Sequence, residues 1–379
     1  MPTSLVKREI TITDSQSFAN VMAKVLPAVS KNTAVPILTG IHVEASAESI
    51  TITGSDDNTM IRVVEKGLVT ALEPVAFVVP GKMFVDIVKR LPKGELSISV
   101  SDADILLQAN KSSFELKTMP VEDYPLRGNS PFEYSIEIPA SHLIKGLGAW
   151  FAASTLSLRP VLQGIQLIGQ QGNTLSFVAT DAHRLRKIDV TIEDAVQPFK
   201  NIIVPAQAAK EMIALLKEEK EVTIQFNEKE FRLITNNVTL STRLIEGTYP
   251  DISRIIPAQF KTSFEINREE FQGALERAHI VAQESKNNVC RFQLDLQEIP
   301  NLLVTNDNGI SKVKEQVFLG DVKGESLKFA MNTKYLLEAL KQLSSKEVLV
   351  QANGPESAFV IQPKDDESVL DLILPVRVQ

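Results

Sequence analysis

The chain has 379 residues, 44% hydrophobic but only 6% aromatic, with a formal net charge of −7 and one cysteine. That is enough apolar material for more than one core, built mainly of Leu, Ile, Val and Ala, and the length suggests two to four domains. A lone Cys290 excludes an internal disulfide, and no apolar run approaches the ~18 residues of a membrane span.

The stretch from Met1 to Glu9 lacks the apolar core of a secretory leader, so a cytoplasmic location is expected. The first helix shows an apolar stripe at Phe18, Met22, Val25 and Leu26. A strand Ile50-Thr51-Ile52-Thr53 then runs into Gly54-Ser55-Asp56. Phe77-Val78-Val79-Pro80 leads into a second helix, and Glu95-Leu96-Ser97-Ile98-Ser99-Val100 alternates as a half-buried strand does. Phe114-Glu115-Leu116-Lys117 closes the run ahead of Asp123-Tyr124-Pro125.

The same plan then recurs twice. Leu143, Ile144, Leu147 and Trp150 form the second opening stripe, and Phe271, Leu275, Ala278 and Ala282 the third. Ser55, Thr180 and Thr305 end matching strands at intervals of 125 residues. Pro80, Pro205 and Met331 precede matching helices, where proline and the following Asn332 suit a helix start. Glu95, Glu221 and Glu347 open matching strands 126 residues apart, and Thr248-Tyr249-Pro250 repeats the earlier Tyr-Pro ending. Each third reads strand, helix, several strands, helix, several strands. The expectation is three similar α+β domains, 1–131, 132–258 and 259–379, cut at the turn-rich Leu126-Arg127-Gly128-Asn129-Ser130-Pro131 and at Ile256-Pro257-Ala258.

Catalytic signatures do not emerge. The chain has no phosphate-cradling glycine loop, no dinucleotide fingerprint and no nucleophile elbow. His42, His142, His183 and His279 are scattered without zinc-ligand spacing. Cys290 reads as a packing residue before it reads as a catalytic thiol. In Thr180-Asp181-Ala182-His183-Arg184-Leu185, Asp181 and His183 could share a strand face as a base and its orienter, the one arrangement a hydrolase could use. No nucleophile accompanies them, and a structural or binding turn is the plainer reading. No metal and no cofactor are expected.

Charge is unevenly spread. The six helical stretches carry about +9, which leaves about −16 for the rest of a chain whose net charge is −7. Helices gathered on one surface could face phosphates, although lysines also decorate helices generally. With no recognition helix and no cluster of stacking aromatics, such binding would be to the backbone only, salt-sensitive and indifferent to sequence.

Four stretches resemble the β subunit of bacterial DNA polymerase III, the sliding clamp, in the style of Gram-positive bacteria. They are Val35-Pro36-Ile37-Leu38-Thr39-Gly40, Arg159-Pro160-Val161-Leu162-Gln163-Gly164, Ala179-Thr180-Asp181-Ala182-His183-Arg184-Leu185 and Leu374-Pro375-Val376-Arg377. The resemblance spans essentially the whole chain. It implies the DNA-clamp fold: a head-to-tail homodimer, six domains in a ring, helices lining the hole and sheets outside. It implies a non-catalytic processivity factor for the replicative polymerase that encircles double-stranded DNA, cytoplasmic and associated with the nucleoid. Implied partners, met through short linear motifs, are the polymerase α subunit, the clamp loader, translesion polymerases and repair proteins.

The resemblance also assigns sites. A peptide-binding pocket would use Leu162, Thr180, Ala182, His183, Arg184, Leu185, Pro250, Ile255, Leu372, Leu374, Pro375, Val376 and Arg377. DNA contacts would come from Lys24, Lys31, Asn32, Lys82, Lys89, Arg90, Lys145, Lys210 and Lys334, and the subunit joint from Phe114 and Leu116 against Ile280 and Val281. Two departures, Asn32 where the family often has arginine and a longer stretch before the first strand, leave open whether this is a main clamp or a divergent second copy. A peptide-binding adaptor that does not bind DNA is the alternative.

Overall fold

The computed structural model describes residues 8–31, 33–126, 131–156, 158–284 and 288–377. Asn32, expected to touch DNA, lies outside the described residues.

The first third holds β1 (Arg8–Ile12), α1 (Ser15–Val25), β2 (Gly40–Ala45), β3 (Ser49–Ser55), β4 (Thr59–Lys66), β5 (Val69–Ala71), β6 (Val75–Pro80), α2 (Gly81–Val88), β7 (Leu96–Val100), β8 (Asp104–Ala109) and β9 (Ser112–Lys117). The second holds β10 (Tyr134–Pro139), α3 (Ala140–Leu147), β11 (Gly164–Gly169), β12 (Gly172–Thr180), β13 (Arg184–Val196), β14 (Phe199–Pro205), α4 (Ala206–Leu215), β15 (Glu221–Phe226), β16 (Glu230–Ile234) and β17 (Val238–Arg243). The third holds β18 (Thr262–Asn267), α5 (Arg268–Gln283), β19 (Val289–Asp295), β20 (Asn301–Asp307), β21 (Lys312–Lys323), β22 (Leu327–Asn332), α6 (Thr333–Leu340), β23 (Glu347–Ala352), β24 (Phe359–Pro363) and β25 (Val369–Ile373). The expected order holds in all three. Where the first third has β4 and β5, the others have one long strand, β13 or β21.

Local chemistry accounts for three of the helix starts. Asp14 accepts the Ser17 amide at 2.9 Å and caps α1, while Asn267 and Asn332 cap α5 and α6 in the same way. The opening stripes bury Phe18, Met22 and Val25, then Leu143 and Leu147, then Phe271, Leu275, Ala278 and Ala282. Leu26, Ile144 and Trp150 are only half-buried. Trp150 sits beyond α3, on the 3-10 turn Gly148–Ala152, where the Lys210 ammonium lies 4.4 Å from its ring centre.

The chain packs as two compact units, residues 1–141 with 211–244, and 142–210 with 245–379. The first unit contains a five-stranded sheet, β5-β1-β7-β8-β9, and an eight-stranded sheet, β10-β15-β16-β17-β4-β3-β2-β6. The second contains a twelve-stranded sheet, β14-β11-β12-β13-β25-β24-β23-β18-β21-β20-β19-β22. Two ladders join strands of neighbouring repeats inside these sheets. β17 pairs antiparallel with β4 (Thr242 opposite Thr59, Leu240 opposite Ile61), and β25 pairs with β13 (Ile373 opposite Arg184, Asp371 opposite Arg186).

One expected landmark is displaced. Asp56 accepts the Thr59 amide at 2.6 Å, Asp181 the Arg184 amide at 3.0 Å and Asn308 the Ser311 amide at 2.7 Å, so these three residues head the same turn. Asp307, not Thr305, therefore stands where Ser55 and Thr180 stand. A slip of two residues leaves every side chain on its own face of the sheet, so alternation cannot reveal it.

Candidate partner-binding and nucleic-acid surfaces

The turn between β12 and β13 is built from its own side chains. The Asp181 carboxylate accepts the amides of His183 at 2.9 Å and Arg184 at 3.0 Å. The Thr180 hydroxyl donates to the Arg184 carbonyl at 2.6 Å and accepts the Ala182 amide at 3.1 Å. These bonds hold Ala182 at φ +74°, a left-handed conformation that costs a non-glycine residue about 1 kcal/mol or more. The same Asp181 carboxylate takes Arg184 Nε at 3.0 Å, so it serves the turn and the guanidinium, while His183 points to solvent. A general-base pair is not assembled here.

Arg184 ties the turn to its surroundings. It pairs with Glu338 on α6, donates to the Phe151 carbonyl at 2.7 Å and lies 4.5 Å over the Tyr335 ring. A cleft of about 490 Å3 opens beside it, lined by Trp150, Phe151, His183, Tyr335 and Lys341 among others.

Behind the turn lies an apolar cluster of Leu162, Val178, Leu185, Ile203, Tyr249, Ile252, Val360 and Leu372. The Tyr249 hydroxyl accepts the Thr180 amide at 3.0 Å and faces the Gly164 carbonyl at 3.5 Å; burial pushes its pKa up, so it stays protonated. Three of the expected pocket residues, Leu162, Leu185 and Leu372, are buried in this cluster and form a floor instead of exposed walls. Accessible apolar surface comes from Ile255 and Leu374, 44% and 38% exposed, with Pro250, Pro375 and Val376 half-buried. The Leu374 amide donates to the His183 carbonyl at 2.9 Å, which joins the C-terminal segment to the turn. Arg377 is exposed and lies 3.3 Å from Glu356. Val178, Ile203 and Val360 lie on strands and Ile252 on a connecting segment; in sequence such apolar residues carry no mark beyond core.

The expected DNA residues fall into two classes. Lys31, Lys82, Lys89 and Arg90 are exposed, and Lys24 is half-buried on α1. Lys31, Lys82 and Arg90 rim a cleft of about 1040 Å3 whose apolar lining includes Leu26, Val29, Met83, Ile87, Leu91 and Phe114. Four of the expected residues are engaged within the chain. Arg90 is one, its guanidinium donating to the Asp86 carbonyl at 2.9 Å and lying 3.7 Å from the Asp86 carboxylate. Lys145 reaches Asp366 at 2.7 Å and Ser368 at 2.8 Å, Lys210 lies over Trp150, and Lys334 is 3.9 Å from Glu338. Lys145, Lys334 and Arg90 thus face carboxylates, while Lys210 keeps its charge against a neutral ring.

At the expected joint, Phe114 is 41% exposed on β9 and Ile280 is 62% exposed on α5, with Val281 half-buried. Leu116 differs from expectation: at 6% exposure its side chain belongs to the core, and it can offer a partner only its backbone. Burial pushes the Cys290 thiol up to about 12, so it is a packing residue and no nucleophile. No group of three or more metal-ligating side chains occurs among the described residues, and no helix there is long and apolar enough to cross a membrane.

The chain matches the DNA polymerase III beta subunit families along its length: the N-terminal domain over residues 9–128, the central domain over 138–251 and the C-terminal domain over 253–377. It belongs to the β-subunit family of DNA polymerase III, the sliding clamps. The beta sliding clamp of Staphylococcus epidermidis is 34% identical over 370 residues, covering 95% of this chain and 97% of that one. The Staphylococcus aureus clamp is 34% identical over 361 residues, 93% of this chain and 95% of its own. The crystal structure of the Bacillus subtilis sliding clamp aligns with a TM-score of 0.91 at 30% identity, over 98% of this chain and all of that one. Three clamp domains in one α+β chain therefore make a DNA polymerase III processivity clamp, an accessory subunit with no catalytic centre of its own. The likeness to Staphylococcus and Bacillus proteins agrees with the Gram-positive style of the sequence.

Proposed function

We propose that two copies of this chain close head to tail into a ring of six domains, divided near residues 131 and 258 in each copy, and that duplex DNA passes through it. One observation carries this reading. Each repeat ends in a strand that can pair with the fourth strand of the preceding repeat, as β17 does with β4 and β25 with β13. That leaves β9 as an open edge, and among the described residues the 312–318 half of β21 pairs only with β20. Open edges are a liability that a second copy removes, because a two-fold axis makes each end the other's complement. Phe114 on β9, with Ile280 and Val281 on α5, supplies apolar area at that joint.

Duplex DNA is held without regard to sequence, through phosphates facing Lys24, Lys31, Lys82, Lys89 and Arg90. Partner proteins dock short motifs on the surface around Thr180, Ala182, His183, Pro250, Ile255 and Leu374 to Arg377. The apolar rim takes a hydrophobic anchor and the turn orients the peptide backbone. The partners are the replicative polymerase α subunit, the clamp loader, translesion polymerases and repair proteins, and the work is done at the nucleoid. Retention on DNA after loading tests the ring. Protein loaded on a nicked circle should stay bound and leave when the circle is cut; equal loss from circles and linear DNA refutes enclosure.

A further inference from the structure

The two internal joints fix a register for the third, and that register carries a charge code. Ser99, Gln225 and Gln351 lie 126 residues apart on equivalent strands and face Leu106, Arg232 and Val360. Those three face Glu115, Ser241 and Leu372 across the next hairpin. Ser241 stands opposite Met60, and Leu372 opposite Leu185. Met60 and Leu185 each follow a turn-heading aspartate, Asp56 or Asp181, by four residues. The residue four beyond the equivalent Asn308 is Lys312, opposite Asp307 on β20.

Resting on the ring reading above, we infer that β9 of one copy pairs antiparallel with residues 311–315 of the other, with Glu115 opposite Lys312. This fixes Leu116 opposite Ser311, Phe114 opposite Val313 and Ser113 opposite Lys314. The faces agree independently. Residues directly opposite share a face of the sheet. Val313 shares a face with Glu315, which takes Arg277 of α5 at 2.7 Å, so Phe114 and Val313 meet on the side where α5 packs. Glu115 meets Lys312 on the other side, with Lys314 diagonal to it; both side chains are well exposed, 60% and 81%, and within its own copy Glu115 lies 3.3 Å from Lys117 and Lys312 2.8 Å from Asp307.

The register also sets the second internal joint apart from the other two. At the central inward position the first internal joint sets Ile61 against Leu240 and the second sets Arg186 against Asp371. The third sets Val313 against Phe114. An exchange would leave the buried Arg186 guanidinium facing a ring or a leucine, a heavy cost for an unpaired buried charge. The first and third joints are both apolar at this position, so the outward Glu115–Lys312 pair is what sets the third apart.

Charge exchange tests the register. Glu115→Lys and Lys312→Glu should each weaken the dimer on the order of tenfold, because like charges then oppose at both joints of the ring. Equal amounts of the two variants should form mixed dimers well above the statistical half, since every joint in the mixed ring is complementary. The chain carrying both changes should recover dimerisation. Sedimentation and native mass spectrometry read all three. A dimeric parent with undiminished single variants and statistical mixing overturns the register and leaves the ring; a monomeric parent overturns the ring itself.

Discussion

His42 shows how one residue sets a pH response. It is 2% exposed, stacks on Tyr124 with ring centres 5.2 Å apart, and its Nδ1 has no hydrogen-bond partner. Burial holds its pKa below the usual 6.5, partly offset by Glu44 at 3.9 Å. In the unfolded chain the imidazole protonates near 6.5, whereas the folded chain resists until lower pH. The fold therefore keeps its full stability above about 6.5 and loses some as pH falls from there towards the depressed value. The thermal midpoint should drop between pH 7.5 and 5.5, and His42→Gln should flatten that drop. An unchanged slope in the variant would assign the acid sensitivity to other groups.

At the scale of elements, the β13–β25 ladder is anchored by a buried ion pair. Arg186 Nε donates to Asp371 Oδ1 at 2.8 Å and Nη2 to Oδ2 at 2.5 Å, and the guanidinium lies 4.6 Å over the Phe151 ring. Burial pushes the Asp371 pKa up, and Arg186 pulls it back. Asp371→Asn should destabilise by about 3–5 kcal/mol, because it leaves Arg186 charged and uncompensated, whereas Arg186→Met with Asp371→Leu should recover most of that loss. Calorimetry on the three chains checks the order. The same ladder ends where Leu374 bonds to His183, so deleting residues 374–379 should abolish binding of a polymerase-derived motif peptide while sedimentation still shows the dimer. Unchanged peptide affinity would place the docking surface elsewhere.

Much of this level was legible in the sequence. Alternation, capping residues and Tyr-Pro endings recur at near-constant spacing because each repeat needs the same turns and the same buried faces. The two-residue offset of Asp307 was not legible, since it preserves alternation. Nor was the burial of Leu116, Leu162, Leu185 and Leu372: strand position says which face a leucine occupies, and only packing says whether that face is covered. The pocket residues were named through family likeness, and periodicity alone would have left them as core.

For the whole molecule, the net charge of −7 and a grip on DNA are compatible only if cations and carboxylates are separated in space. The cations tied to Asp366, Glu338 and Asp86 contribute less field, so on the proposed ring reading Lys24, Lys31, Lys82 and Lys89 are the main charges left to meet phosphates, with Arg90 beside them. Such contacts release counterions, so affinity for linear duplex should fall steeply with salt, by about 0.9 in the log–log slope for each phosphate neutralised. Enclosure obeys different physics: salt screens attraction over about 8 Å at physiological strength but does not open a backbone ladder. Retention on circular DNA should therefore outlast salt that abolishes binding to linear fragments. Changing Lys82, Lys89 and Arg90 to Glu should lower linear-DNA affinity by on the order of tenfold or more and flatten the salt slope by roughly two to three. The loss should be equal on AT-rich and GC-rich duplexes, because phosphates carry no sequence. Fluorescence anisotropy over a salt series measures each quantity, and a loss confined to one composition would show that base edges, not phosphates, are being read.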